Sequence, residues 1–225
     1  MEQWRAVWGD DDRAEEHVRL LRFLYEPAVY VHRSRLAELS IDPNALETIA
    51  ATRRGWLQLN RLLLARFHLD GLSDCGPELL PRQRLIFVDC ATVGRLSRLA
   101  GALYWAEDVQ RTVRKGEREA LLAAIGERAY AFALRKSLFF HSLLAGLPRE
   151  GFEMLSLPKR VVATGRWCLM ACLNGLAGDL KHRFLLKFPS RGDWAKESLA
   201  DREGPLERVW ELVDRLRGRL EGATP

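Results

Sequence analysis

The sequence has few cysteines and no long uninterrupted apolar run. Only four of its 225 residues are cysteine. Cys168 and Cys172 stand four apart in an apolar helical pattern, a spacing that does not favour a disulfide because the two Cβ vectors run nearly parallel. No apolar stretch approaches the roughly 18 residues of a membrane-spanning helix. The acidic start, Asp10 to Asp12, is unlike a signal peptide. We therefore expect buried thiols and a cytoplasmic protein.

The sequence also lacks the motifs of the common catalytic mechanisms. Its five histidines are scattered without the spacing of metal ligands. There is no nucleophile elbow of the Gly-x-Ser-x-Gly type, no Walker lysine and no glycine-rich phosphate loop. The acidic run near the start of the chain is typical of a helix N-terminus, where carboxylates oppose the helix dipole. We predict no catalytic residue, no cofactor and no metal site, so a hydrolase or metal enzyme is the least favoured hypothesis.

The charge balance leaves a second hypothesis open. Thirty-five basic residues face 30 acidic ones, for a formal net charge of +5. The two signs are interleaved along predicted helices, a pattern typical of a solvated surface with ion pairs. Arginine-rich stretches such as 111–118 and 215–219 nevertheless fit a basic helical regulator that binds nucleic acid.

The dominant apolar period is that of an α-helix. One example is the series Val93, Leu96, Leu99 and Leu103, and the only short β-like run is 85–88. Asp42 followed by Pro43 predicts the start of a long helix that extends to Phe67 and bends at Gly55. Small residues such as Gly101 inside apolar helices indicate close packing between helices. The fold class is therefore predicted to be all-α, a predominantly helical single domain with little or no sheet.

The same patterns divide the chain into three segments. Residues 1–12 form an N-terminal extension, and residues 13–189 form the helical body. Residues 190–225 form a loop followed by an amphipathic helix, predicted from Pro205 to Leu220, which packs on the body. The apolar stripe of that helix is costly to leave in water, at about 1.5–3 kcal/mol for each large side chain.

The most informative stretch is a short elbow between helices. Pro27 fixes its own φ and moves Glu26 out of the helical region towards an extended conformation. Ser34 stands at the position of an N-cap for the helix that follows. Tyr30 and His32 are predicted to tie the elbow to neighbouring helices. The residues that define the elbow are Pro27, Tyr30, His32, Ser34 and Leu36.

Four of the seven tryptophans lie in terminal regions of the chain. Large aromatic side chains near termini dock either on the body of the protein or on a partner. They are candidate partner contacts: Trp4, Trp8, Trp194 and Trp210.

Four segments, in order, carry a resemblance to a known family. They are residues 27–36 (PAVYVHRSRL), 81–85 (PRQRL), 99–103 (LAGAL) and 183–189 (RFLLKFP). Together they resemble the YscK-like proteins of type III secretion, also called SctK, over roughly residues 19–190.

The resemblance implies a non-enzymatic cytosolic adaptor of the injectisome sorting platform. Such an adaptor joins the cytoplasmic domain of the inner-membrane ring protein (SctD-like) to the pod protein (SctQ-like). Through the pods it is linked indirectly to the stalk protein and the export ATPase. It is peripheral at the injectisome base, reaches the membrane only through its partners, and binds no nucleic acid.

Overall fold

The computed structural model describes residues 11–37, 43–69, 79–147, 149, 151–189 and 206–221. Within these ranges all regular structure is helical, which confirms the all-α prediction. The α-helices are α1 (Asp11–Tyr25), α2 (Arg33–Ala37), α3 (Pro43–Ala50), α4 (Arg53–Arg66), α5 (Cys90–Tyr104), α6 (Ala106–Arg111), α7 (Lys115–Ile125), α8 (Glu127–Lys136), α9 (His141–Leu144), α10 (Leu157–Cys172), α11 (Gly178–Leu185) and α12 (Leu206–Glu221). Three 3-10 segments cover Pro27–Val29, Pro81–Phe87 and Ser137–Phe140.

The prediction of one long helix after Pro43 with a bend at Gly55 was wrong. The structure has two helices there, α3 and α4, and the chain breaks between them at Thr52. The chain leaves the helical conformation at Thr52, which has φ −105° and ψ 144°. The Thr52 hydroxyl then caps α4 by accepting a hydrogen bond from the Gly55 amide at 3.0 Å. A Cβ atom on Gly55 would lie 1.9 Å from the Ile49 carbonyl oxygen. Gly55 is thus a site of close approach between α3 and α4.

The short β-like run 85–88 falls largely within the 3-10 segment that ends at Phe87. Leu85 and Ile86 in this segment are fully buried. A short apolar run buried on more than one side has no distinguishing period, so its residues alone do not separate a strand from a tight helix.

The chain forms two compact units. Unit 1 contains α1 to α4, residues 86–90 and residues 176–189, which include α11. Its core is made by aliphatic and aromatic side chains, namely Phe23, Leu24, Tyr30, Val31, Leu59, Leu63, Leu69, Ile86, Leu180, Phe184, Leu186 and Phe188.

Unit 2 contains residues 79–85, 91–175 and α12. Helices α5 and α10 cross at two glycines. A Cβ atom on Gly101 would lie 1.9 Å from the Val161 carbonyl oxygen, and one on Gly165 would lie 1.9 Å from that of Ser97. Beside this crossing the buried Trp105 indole donates a hydrogen bond to the Thr164 hydroxyl at 2.9 Å. The backbones therefore meet where each helix has no side chain.

Helix α12 buries one face in unit 2. Val209, Leu212, Val213 and Leu216 are fully buried, whereas Trp210 is half-buried. Arg208 donates a hydrogen bond to the Ala145 carbonyl at 2.6 Å. Among the helices that the structure describes, none combines the length and the apolar character that crossing a membrane requires.

Candidate functional site

The elbow is a single 3-10 turn between α1 and α2. Glu26, at φ −119° and ψ 61°, ends the helical run, and Pro27 opens the turn. The amides of Tyr30 and Val31 both donate to the Pro27 carbonyl, at 3.1 and 2.8 Å. The amide of Ala28 donates to the Asn60 side chain on α4 at 2.9 Å. Proline and an amide side chain from another helix thus fix the direction of the chain.

The start of α2 corrects one prediction made for the elbow. Ser34 was expected to be the N-cap, but α2 begins at Arg33, so Ser34 lies in its first turn. The ring of His32, just before the helix, takes the capping role instead. Its Nδ1 accepts a hydrogen bond from the Ser34 amide at 3.2 Å and lies 2.9 Å from the Ser34 hydroxyl. Leu36 is half-buried.

The elbow is bound to the segment 183–188, which lies some 150 residues later in the chain. The His32 amide donates to the Leu186 carbonyl at 2.9 Å. The Arg35 guanidinium donates to the carbonyls of Phe188 at 2.9 Å and of Leu185 at 3.3 Å. These bonds go to backbone carbonyls at and just beyond the C-terminal end of α11, where carbonyls lack the amide donor that a continuing helix would supply. Two of the four segments that carry the family resemblance are therefore in direct contact.

Lys187 is buried beneath the elbow. Its ammonium donates to the Ile86 carbonyl at 2.6 Å and also to the Val88 carbonyl. It lies over the rings of Phe23, Tyr30 and Phe184, at 5.4, 5.7 and 5.7 Å from their centroids. Burial lowers the pKa of Lys187 to about 8, so the amine is mostly charged at neutral pH.

Cys90 and Asp89 lie beside this ammonium. Both act against the effect of burial by raising the pKa of Lys187. The Cys90 thiol donates to the Tyr30 carbonyl, and burial raises its own pKa. A thiol held in its protonated form by burial is a poor nucleophile, which favours a structural role for Cys90.

Arg183 is the second buried cation of unit 1. Its guanidinium donates to the Leu24 carbonyl at 2.7 Å and to the Leu69 carbonyl. Burial raises the pKa of Tyr30 to about 12, and the neighbouring Arg183 lowers it by less. Arg183 and Lys187 are four residues apart. Arg183 binds carbonyls near the ends of α1 and α4, and Lys187 binds carbonyls of residues 86 and 88. These hydrogen bonds connect segments of unit 1 that lie far apart in the sequence.

Two further cysteines lie in the interior of unit 2. Cys168 and Cys172 are buried free thiols on α10, and the Cys172 thiol donates to the Cys168 carbonyl at 3.2 Å. Burial raises the pKa of Cys172 to about 12 and that of Cys168 as well. Across the part of the chain that the structure describes, no three His, Cys, Asp or Glu side chains are grouped as metal ligands would be.

An apolar stripe is exposed on unit 1. It consists of Val18, Leu21 and Tyr25 on α1 and Val29 in the elbow, which are 42–63% exposed. The spacings of three and four residues place the α1 members on one face. Contiguous exposed apolar residues of this kind mark protein–protein contact sites more often than single ones do. We call these four residues the unit 1 stripe.

Helix α1 carries apolar residues on more than one face. The buried face of the helix is made by Phe23 and Leu24, whereas Val18 and Leu21 face outwards. The sequence agrees with this arrangement, because six of the eight residues from 18 to 25 are apolar, too many for one face of a helix.

A second exposed apolar patch lies on unit 2. Leu134, Leu138 and Phe139 are 40%, 86% and 63% exposed. Leu138 also lines a groove of about 690 Å³, whose other walls include Leu103 and Leu144. Glu107 and Arg149, which form an ion pair at 3.9 Å, add charge to that lining. We call Leu134, Leu138 and Phe139 the unit 2 patch.

The four terminal tryptophans do not form a common site in the part of the chain that the structure describes. Trp4, Trp8 and Trp194 lie outside the described residues. Trp210 is half-buried on α12. Their role as partner contacts stays a prediction.

Comparison with known proteins identifies a family. A family model described as a bacterial type III secretion apparatus protein (OrgA_MxiK) matches residues 20–209. This range includes the elbow, the segment 183–188 and the beginning of α12. No curated protein and no solved structure was found to match the chain.

Proposed function

Because the chain belongs to the OrgA_MxiK family of bacterial type III secretion apparatus proteins, as its resemblance to the SctK proteins indicated, we propose that it is a non-enzymatic adaptor between two other apparatus proteins. The two partners are the cytoplasmic domain of the inner-membrane ring protein (SctD-like) and the pod protein (SctQ-like). Through the pods the adaptor is linked to the stalk protein and the export ATPase. It lies in the cytoplasm at the injectisome base and reaches the membrane only through its partners.

The observation that carries this proposal, beyond family membership, is that each unit exposes an apolar surface of its own. The unit 1 stripe and the unit 2 patch are made of side chains of 40–86% exposure. An adaptor needs two surfaces that are occupied independently, and two separately packed units supply them. The buried cations of unit 1 are compatible with this role, because their hydrogen bonds go to backbone carbonyls and fix the scaffold that carries the stripe.

We expect charged residues in the two surfaces to separate the two binding activities. The double variant Val18→Glu/Leu21→Glu changes the unit 1 stripe, and Leu138→Glu/Phe139→Glu changes the unit 2 patch. Each variant is expected to weaken binding to one partner by at least about tenfold, because a few central residues carry most of the binding energy of an interface. Its affinity for the other partner should stay within about twofold of the wild type. Biolayer interferometry with the purified ring-protein domain and pod protein measures both affinities.

The matched control is Leu57→Glu/Val113→Glu, which adds the same charge at exposed apolar residues outside both surfaces. It is expected to bind both partners as the wild type does. Circular dichroism of all variants should be unchanged, because every altered side chain is exposed. Unaltered affinity for both partners in both surface variants would contradict the proposal.

A further inference from the structure

A groove of about 880 Å³ in unit 2 has basic walls and a largely apolar floor. Three parts of unit 2 form it: the first half of α5, the junction between α7 and α8, and the end of α12. Its walls carry the exposed residues Arg95, Arg98, Arg128 and Arg219. Partly exposed apolar side chains line the floor, namely Leu99, Ala124, Phe132 and Leu220. We call this feature the basic groove.

The charge of the basic groove is largely uncompensated. Its lining contains four arginines and a single carboxylate, Glu127. Among the described residues, none of the four arginines has a carboxylate within ion-pair distance. Arg95 donates to the Thr92 hydroxyl at 2.9 Å, and Arg219 lies 5.3 Å from the centroid of the Phe140 ring. The N-terminus of α8, at Glu127, adds the partial positive charge of a helix dipole.

We propose that the basic groove binds an acidic, amphipathic segment of a protein partner. The four arginines are complementary to carboxylates, and guanidinium groups bind carboxylates in a bidentate manner. The apolar floor requires aliphatic or aromatic side chains on the same segment, spaced as on one face of a helix. Taking that partner to be another secretion apparatus protein rests on the function proposed above, whereas the acidic and amphipathic character follows from the groove itself.

The lining favours a protein segment over nucleic acid. Single-stranded nucleic acid binds by stacking successive bases on aromatic side chains along a basic track. The basic groove offers one aromatic ring, Phe132, among alanine, leucine and isoleucine side chains. A volume of this size is also much larger than an isolated inorganic anion fills, so an extended occupant fits it better.

The test measures the binding of peptides to the purified 225-residue chain. Overlapping 15-residue peptides covering the ring protein's cytoplasmic domain and the pod protein, each labelled with fluorescein, are titrated with the wild type and with Arg95→Glu/Arg98→Glu. The control is Arg53→Glu/Arg54→Glu, which makes the same change in charge at exposed arginines of unit 1. A designed helical peptide with glutamates on one face and leucines on the other is included as an independent probe.

We expect the bound peptides to be acidic with apolar residues at helical spacing, and their affinity to fall with salt. The groove variant should weaken their binding by at least about tenfold, because two attractions to the peptide's carboxylates become repulsions between like charges. The control should stay within about twofold. Binding of neutral or basic peptides, or equal binding by the groove variant, overturns the proposal. Tighter binding of a 20-nucleotide single strand that competes with the peptides also overturns it and assigns the groove to nucleic acid.

Full-length partners measured in parallel separate this proposal from the adaptor function. If the ring-protein domain and the pod protein bind the wild type and the groove variant equally, the adaptor function stands and the basic groove is not its interface. If the designed acidic peptide binds in a groove-dependent way but neither full-length partner binds, the groove proposal stands and the adaptor function fails.

Discussion

Gly101→Ala is expected to lower the melting temperature of the protein by about 6–12 °C, whereas Gly94→Ala on the same helix should leave it unchanged or raise it slightly. The added Cβ atom of the first variant would lie 1.9 Å from the Val161 carbonyl oxygen. That oxygen belongs to the backbone of α10, so no side-chain rotation relieves the overlap and the two helices must separate. Overpacking of this kind costs about 3 kcal/mol, which corresponds to that temperature change in a chain of this size.

Gly94 supplies the control because its environment is open. A Cβ atom there would meet only the end of the flexible Arg98 side chain, at 3.7 Å. Alanine is favoured over glycine within a helix by about 0.5–1 kcal/mol. Gly165→Ala tests the reciprocal contact, since its Cβ atom would lie 1.9 Å from the Ser97 carbonyl oxygen, and it should be as damaging as Gly101→Ala. Differential scanning calorimetry measures all three, and equal melting temperatures for Gly94→Ala and Gly101→Ala would refute the close crossing.

Arg183→Met should destabilise the protein by about 2–6 kcal/mol, because two buried acceptors lose their donor. The variant keeps an unbranched apolar stem but removes the donors to the carbonyls of Leu24 and Leu69. A buried acceptor left without a partner costs about 1–3 kcal/mol. Arg183→Lys should fall between the wild type and methionine, because an ammonium does not reproduce the fork that reaches both carbonyls.

The comparison variant is Arg19→Met, which removes an exposed arginine of α1 from its ion pair with Glu15. Exposed pairs of this kind contribute about 0.3–0.5 kcal/mol, so the melting temperature should move by no more than about 2 °C. Amide hydrogen exchange adds a local readout. In Arg183→Met, protection should fall in α1 and α4, whose C-terminal ends Arg183 joins, while α10 keeps its protection. Loss of protection spread evenly over both units would show that Arg183 does not act as a local tie.

The fold class and the family could be predicted from the sequence because both depend on patterns along the chain. The helical spacing of Val93, Leu96 and Leu103, all fully buried, directly reflects a buried face. The prediction that Gly101 allows close packing also needed only its apolar context. The break at Thr52 was missed because Gly55 is the stronger local signal, whereas in the structure the threonine hydroxyl ends one helix run and begins the next.

The buried cations could not be predicted, because their partners are brought together only by the fold. Arg183 and Lys187 can be buried because they donate hydrogen bonds to backbone carbonyls of segments that lie about 100 residues or more earlier in the chain. Nothing in the local sequence distinguishes them from solvated cations such as Arg22. The capping role was predicted for Ser34, whereas in the structure the ring of His32 accepts a hydrogen bond from the Ser34 amide, a contact that depends on the position of the ring. The unit 1 stripe was not predicted, because helical periodicity does not say which of two apolar faces of α1 is buried.

The most direct test of the adaptor account is whether this chain joins two proteins that do not join each other. The ring protein's cytoplasmic domain, the pod protein and this chain are mixed pairwise and together, and size-exclusion chromatography with light scattering gives the mass of each complex. We expect a three-component complex that forms only when this chain is present. If the ring–pod complex forms without it, or if this chain binds neither protein, then the chain is not an adaptor between them.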